Sequence, residues 1–163
     1  MVPFGISMAA TVRVGQAVGR RDSDGVRRAG YVAIGLGTAF MAAMTLAVIL
    51  GRFLIAEIFL GETVDAAAAL TATLLLIGTT FFVTDGIQTV ANGALRGMND
   101  TRIPLLLATI SYWLVGFTSA WALGFHTSLG AGGVWVGLSI GTVVFAVLLI
   151  LRFRLLANRL VLR

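Results

Sequence analysis

The sequence predicts an all-α polytopic membrane helix bundle, with about four full transmembrane helices and a partial first helix. Three observations carry this prediction. Four stretches, 29–51, 66–84, 103–125 and 127–151, contain no charged residue and are about as long as a bilayer crossing requires. The composition is 58% hydrophobic and only 12% charged, with a mean hydropathy of +0.98, against about 25% charge in an ordinary soluble domain. The charges that are present fall between the stretches, and eleven of the twelve arginines gather at alternate connections.

A chain of 163 residues with so little charge could not cover its apolar surface with polar groups. That argues against a soluble enzyme, a disordered tail and a secreted disulfide scaffold. Cysteine is absent, which excludes disulfides, thiolate catalysis and cysteine-based metal sites. A single histidine, His126, leaves no His-rich metal site and no Ser-His-Asp triad within the chain.

The elements follow in order. Residues 1–12 are uncharged and end at Arg13. This stretch spans only if its helix continues to about Gly19 with Arg13 inside it. A signal peptide carries its positive charge ahead of the apolar run; here the charge follows, so 1–19 reads as the end of a helix whose beginning is missing. Pro3 would kink that helix if it were helical on both sides. The second segment is 29–51. The third is uncharged over 66–84, is interrupted by Asp85, and stays apolar in pattern to about residue 94. The fourth, 103–125, opens with Pro104, which suits a first helical turn. The fifth is 127–151.

All twelve basic residues are arginine. Arg13, Arg20, Arg21, Arg27 and Arg28 follow the first segment, Arg96 and Arg102 follow the third, and Arg152, Arg154, Arg159 and Arg163 follow the fifth. Only Arg52 stands at the other connections. Arginine-rich loops stay cytoplasmic, so the 20–28 loop, the 96–102 loop and the C-terminus are expected inside. The 52–65 loop and the His126 turn are expected outside. This ordering reads the arginines as topology markers and gives no support to a nucleic-acid partner.

Within the spans, Asp85 is the most informative residue. It stands 11 residues before Arg96, roughly 16 Å along a helix and so near the middle of the bilayer. An ionisable group there costs a few kcal/mol or more and marks a functional site by default. Gln88, Thr89 and Asn92 follow at i+3, i+4 and i+7 on the same helical face. The stripe is either polar glue between helices or a cation or proton site in a water-filled cavity. Arg13 reads as an interfacial anchor. Tyr112 and Trp113 fit an aromatic belt or the lining of a pocket.

Small residues recur at i, i+4: Gly15 and Gly19; Gly35, Ala39 and Ala43; Gly93 and Gly97; Gly133, Gly137 and Gly141. In membranes such stripes let helix backbones approach closely, and smooth faces of this kind could also slide during a transport cycle. No carboxylate pair at glycosidase-like spacing, no phosphate-binding loop and no dinucleotide loop after a strand is present, so the chain is not expected to be an enzyme.

Several ordered strings resemble the multidrug and toxic compound extrusion (MATE) transporters. They are 1–7 leading into 10–19, then 85–90 running into 93–97 and 99–101, then Tyr112-Trp113 with Gly116, and 130–137 with Trp135. The resemblance covers nearly the whole chain. It implies the second lobe of a twelve-helix protein, from an incomplete eighth helix to the twelfth, with the N-terminal lobe and the seventh helix missing. It further implies a plasma (inner) membrane antiporter that exports cationic, amphipathic, drug-like small molecules in exchange for H+ or Na+. This chain alone is expected to be inactive. In family members that use sodium, an acid in the tenth helix helps bind the coupling cation, and Asp85 matches it. Gln88, Thr89, Asn92 and Tyr112 would line the same cavity. Beyond H+ or Na+ at Asp85 no cofactor or metal is implied, and the partners are the bilayer, the missing helices and the transported compounds. The sequence departs from the family pattern at Thr118, where a proline usually stands. Competing readings are a lipid-linked oligosaccharide flippase of the same superfamily and a truncated, non-transporting membrane module.

Cysteines introduced at Ser23 and Thr101 should react with impermeant thiol reagents only from the cytoplasmic side, and one at Thr63 only from outside. The reverse labelling pattern would overturn the orientation derived from the arginines.

Overall fold

The computed structural model describes residues 1–60, 65–127 and 130–161, and every element among them is helical. Thr63, the outer labelling position, lies outside the described residues. The elements are α1 (Val2–Gly19), α2 (Ser23–Leu60), α3 (Asp65–Gly97), α4 (Arg102–Thr109), a π-helical segment (Ile110–Phe117), α5 (Thr118–Phe125) and α6 (Gly130–Val161). Among the described residues, three stretches are long and apolar enough to cross a membrane: Ser23–Ile55, Arg102–Phe125 and Gly132–Arg159. The expected segment 66–94 lies within α3, in part on residues whose side chains are outside the described set.

Arg13 lies inside α1, which continues to Gly19. Pro3 falls in the first turn of α1, where a missing N–H deprives no carbonyl of a bond.

The turns at the arginine-rich end share one device. After α1, Arg21 adopts a left-handed φ of 56°, and after α3, Asn99 adopts 58°. In each turn the next N–H, of Asp22 or Asp100, donates back across the helix end, to the carbonyls of Ala17 and Leu95 respectively, at 3.0 Å. These are Schellman closures, which satisfy carbonyls that a helix end leaves open. The Asp22 carboxylate then accepts the Gly25 N–H at 2.8 Å and caps the start of α2. Reversal within a few residues sets α2 antiparallel to α1, with both ends of the turn on one side of the bundle.

Small residues decide how closely the helices meet. α1 and α3 run parallel with backbones in contact: a methyl group added at Gly93 would collide with the Ser7 carbonyl, and one at Gly97 would lie 2.6 Å from the Thr11 carbonyl. Two hydroxyls bond across this seam, Ser7 to the Thr89 carbonyl and Thr11 to the Gly93 carbonyl, each at 2.8 Å. Between α2 and α3, Val90 fills the space over Gly37 and Met41 the space over Gly86. α6 lies against the fourth span through Gly133, Gly137 and Gly141, which face the backbones of Leu123, Ala120 and Gly116. Gly15 makes an ordinary contact with Gly97, whereas Gly19 and Gly35 have open space where a side chain would sit. Gly19 therefore sets no close approach among the described residues; it stands at the last turn of α1.

The core lies toward the arginine-rich end, where Val14, Val26, Val90, Leu95, Leu149 and Phe153 are fully buried between α1, α2, α3 and α6. Phe153 reaches this centre because Gly30 leaves room for its ring, and Tyr31 meets the ring edge-on. Elsewhere large apolar side chains point outward, with Leu50 76% and Trp113 68% exposed. So much exposed apolar surface suits hydrocarbon and not water.

Gly137→Leu should cost more than the roughly 1–3 kcal/mol typical of overpacking, because the obstacle is the backbone at Ser119 and Ala120 and cannot turn aside. Gly35→Ala, into open space, should be neutral or slightly stabilising. Thermal melting followed by fluorescence-detected size exclusion compares the two variants.

Candidate functional site

Asp85 lies 12 residues before the end of α3, about 18 Å along the axis and far from either terminus of the helix. Its side chain is exposed on the isolated chain. At that depth an exposed carboxylate cannot face lipid without a large desolvation penalty, so this face of α3 borders water or another part of the protein. No group of three His, Asp or Glu side chains comes together among the described residues.

Two hydrogen bonds extend from it. The Gln88 amide nitrogen donates to the Asp85 carboxylate at 2.9 Å, and the Tyr112 hydroxyl donates to the Gln88 amide oxygen at 2.8 Å. Gln88 is thus a bifunctional link: its amide offers a donor to the charge and an acceptor to the phenol. One turn of α3 sets Gln88 beside Asp85, and the π-helical segment sets Tyr112 opposite Gln88. There i→i+5 winding interrupts the fourth span for eight residues, with α-helix on both sides. Such segments concentrate at functional sites. The Tyr112 ring also packs against Phe145 of α6, with centroids 5.4 Å apart. Ser111 beside it is fully buried, and its hydroxyl has no hydrogen-bond partner among the described residues.

Thr89 and Asn92 are half-buried and add no side-chain hydrogen bond to this chain of contacts. Thr89 serves α1 instead, through its carbonyl. The face identified from spacing therefore divides: Asp85 and Gln88 reach the π segment, while the backbone at Thr89 and Gly93 meets α1.

The family model described as MatE matches residues 1–122. The chain belongs to the MATE family. It is 61% identical over 163 residues to a probable multidrug resistance protein NorM of Bradyrhizobium diazoefficiens, covering 99% of this chain and 35% of the relative. With the probable multidrug resistance protein NorM of Rhodopseudomonas palustris the identity is 60% over 160 residues, covering 97% and 34% respectively. The chain thus spans about a third of the length of the curated relatives it matches. Its fold is shared with a multidrug resistance MATE family transporter solved in inward-facing and outward-facing conformations. The TM-scores are 0.82 and 0.83, each at 22% identity and over 94% of this chain, covering 35% and 34% of the respective solved chains. The chain is accordingly a multi-pass membrane protein and not an enzyme.

In this MATE chain one feature of the arginine-rich end was not legible in advance. The Arg152 Nε donates to the Asp100 carboxylate at 2.7 Å, and Asp100 is only 12% exposed. Sequence reasoning takes Arg152 as one topology marker among eleven; here it also fastens α6 to the turn after α3. Nothing local announces a partner 52 residues away. Ser7 and Thr11 also escaped notice, although their i, i+4 spacing, continued by Gly15, marks a narrow polar face of the kind that meets another backbone.

Arg152→Asp should destabilise the protein by about 2–4 kcal/mol, since the two carboxylates would then repel in a partly buried site. Adding Asp100→Arg should recover at least half of that loss. A double-mutant cycle on melting or denaturant midpoints in detergent gives the coupling; no recovery would mean that the pair makes no net contribution.

Proposed function

We propose that this chain is the second lobe of a secondary antiporter that exports cationic amphipathic compounds in exchange for H+ or Na+, with Asp85 as the coupling carboxylate. The observation that carries the reading is the hydrogen-bonded sequence Asp85–Gln88–Tyr112, set at mid-membrane depth on an uncovered face. The NorM relatives, named as multidrug resistance proteins, support the exporter class. The arginine-rich end, including the C-terminus, is taken as cytoplasmic from the positive-inside rule, and the membrane as the inner one. The N-terminal lobe and the helix preceding α1 would come from the remaining two thirds of a relative-length protein.

The mechanism follows from charge. With Asp85 ionised, the Gln88 amide makes a charge-assisted bond, the stronger kind, and so presents its oxygen to Tyr112. A proton or a sodium ion on the carboxylate weakens that bond and loosens the tie between α3 and the π segment. The two charge states thus favour different arrangements of the fourth span against α3. A ligand shifts such an equilibrium only by its difference in affinity for the two states. A cationic substrate competes for the same carboxylate, so loading the coupling ion would disfavour retention of the drug.

Asp85→Asn keeps the shape but removes the charge. In the full-length transporter, reconstituted in vesicles under an imposed proton or sodium gradient, it should abolish or strongly reduce gradient-driven export at normal membrane insertion. Tyr112→Phe should lower export only several-fold, because about 1 kcal/mol of hydrogen bonding is lost while the charge remains. Export by the Asn variant at the wild-type level would remove Asp85 from the coupling role. This chain expressed without the other lobe should confer no drug resistance.

A further inference from the structure

A cleft of about 590 Å³ opens between α1 and α2, and Arg13, Arg20 and Arg28 all line it. Its remaining wall is apolar, with Ile6, Val32 and Leu36 at the inner end. Depth along the helices orders these residues. Arg20 is at the mouth, just after α1 ends. Arg13 and Arg28 sit six residues before the end of α1 and five after the start of α2, both about 8–9 Å inward. Ile6 and Leu36 are each 13 residues from the same helix ends, about 20 Å inward. The cleft is therefore cationic at the level of the membrane interface and apolar toward the bilayer centre.

None of the three guanidinium groups has a carboxylate partner among the described residues, where the ion pair is Arg152–Asp100 at the far side of the same end. Two acids stand nearby in sequence, Asp22, which accepts the Gly25 N–H, and Asp24, one helical turn before Arg28; neither forms an ion pair with the three arginines among the described residues. Three exposed guanidinium groups line the same cleft and none is held in an ion pair among the described residues, so their donors can turn to a phosphate. Basic pockets between membrane helices at the interface fit phosphate headgroups, and the apolar continuation fits an acyl chain but not a soluble anion.

We propose that this cleft binds an anionic phospholipid, with its phosphate on Arg13, Arg20 and Arg28 and an acyl chain along Ile6, Val32 and Leu36. The site is separate from Asp85 and stands whether or not Asp85 couples to a cation.

The test uses the full-length protein in nanodiscs of mixed phosphatidylglycerol and phosphatidylcholine, with the lipids retained on extraction counted by native mass spectrometry. Wild type should retain one phosphatidylglycerol in preference to phosphatidylcholine. Arg13→Gln/Arg20→Gln/Arg28→Gln should weaken that retention about a hundredfold, from the loss of three interfacial cation–phosphate contacts. Arg154→Gln/Arg159→Gln, at the same end of the bundle but outside the cleft, should leave it unchanged. Ala9→Trp, which fills the cleft without altering charge, should also expel the lipid, and it carries the test if the triple variant does not fold. Three results would overturn the proposal: equal retention of phosphatidylcholine, unchanged retention in both the triple and the Ala9→Trp variants, or no lipid retained by wild type because another helix occupies the cleft. Displacement of the phosphatidylglycerol by millimolar inorganic phosphate would also overturn it, by assigning the arginines to a free anion.

Discussion

Backbone-to-backbone contact at glycine is the constraint on which this structure depends. In hydrocarbon there is no hydrophobic gain from pressing two apolar helices together, so association rests on close packing and on hydrogen bonds that lipid cannot offer. Gly93 and Gly97 let α3 approach α1 closely enough for the Ser7 and Thr11 hydroxyls to reach carbonyls on the other helix. Gly133, Gly137 and Gly141 do the same for α6 and the fourth span. Larger side chains at these positions would push the axes apart, and the hydroxyl bonds would be lost with the packing.

The candidate site inherits its geometry from these two seams. The α1–α3 seam fixes the rotation of α3 and so the direction in which Asp85 and Gln88 face. The seam along α6 fixes the fourth span at Gly116, four residues from Tyr112. The Gln88–Tyr112 bond closes the remaining gap between two elements already positioned by other contacts. It is exposed and singly made, unlike the seams, and it is the connection in this region that can change at small cost. Rigid seams around one replaceable bond suit a site that must hold two arrangements.

Much of this was legible because membrane sequences state it locally. Four uncharged runs announce the fold class, and Asp85 stands out because nothing apolar excuses a carboxylate at that depth. Spacing of i, i+3 sets Gln88 beside it, and the bond at 2.9 Å joins the same two residues. Spacing could not choose Tyr112 over Trp113 as the aromatic that turns toward Gln88, because that depends on the winding of the fourth span. The π segment has no proline to announce it, and Thr118 by itself gives no sign of irregularity. Arg152 shows the opposite difficulty. Its charge was fully explained by topology, and a sufficient explanation concealed a second role that only the turn at Asn99 and Asp100 brings about.

The π-helical segment also bears on how the chain can vary. Wider winding accommodates one residue more than regular α-helix over the same rise, which makes the segment equivalent to an insertion absorbed inside a span. Removing one residue between 110 and 117 would let the span return to α-helix with its two flanks still in register, because the wider winding is what absorbs that residue. The change would be confined to the segment itself, whose winding sets Tyr112 against Gln88 and Gly116 against Gly141. Reading-frame-preserving deletions here would therefore yield inserted, folded protein with the polar link undone.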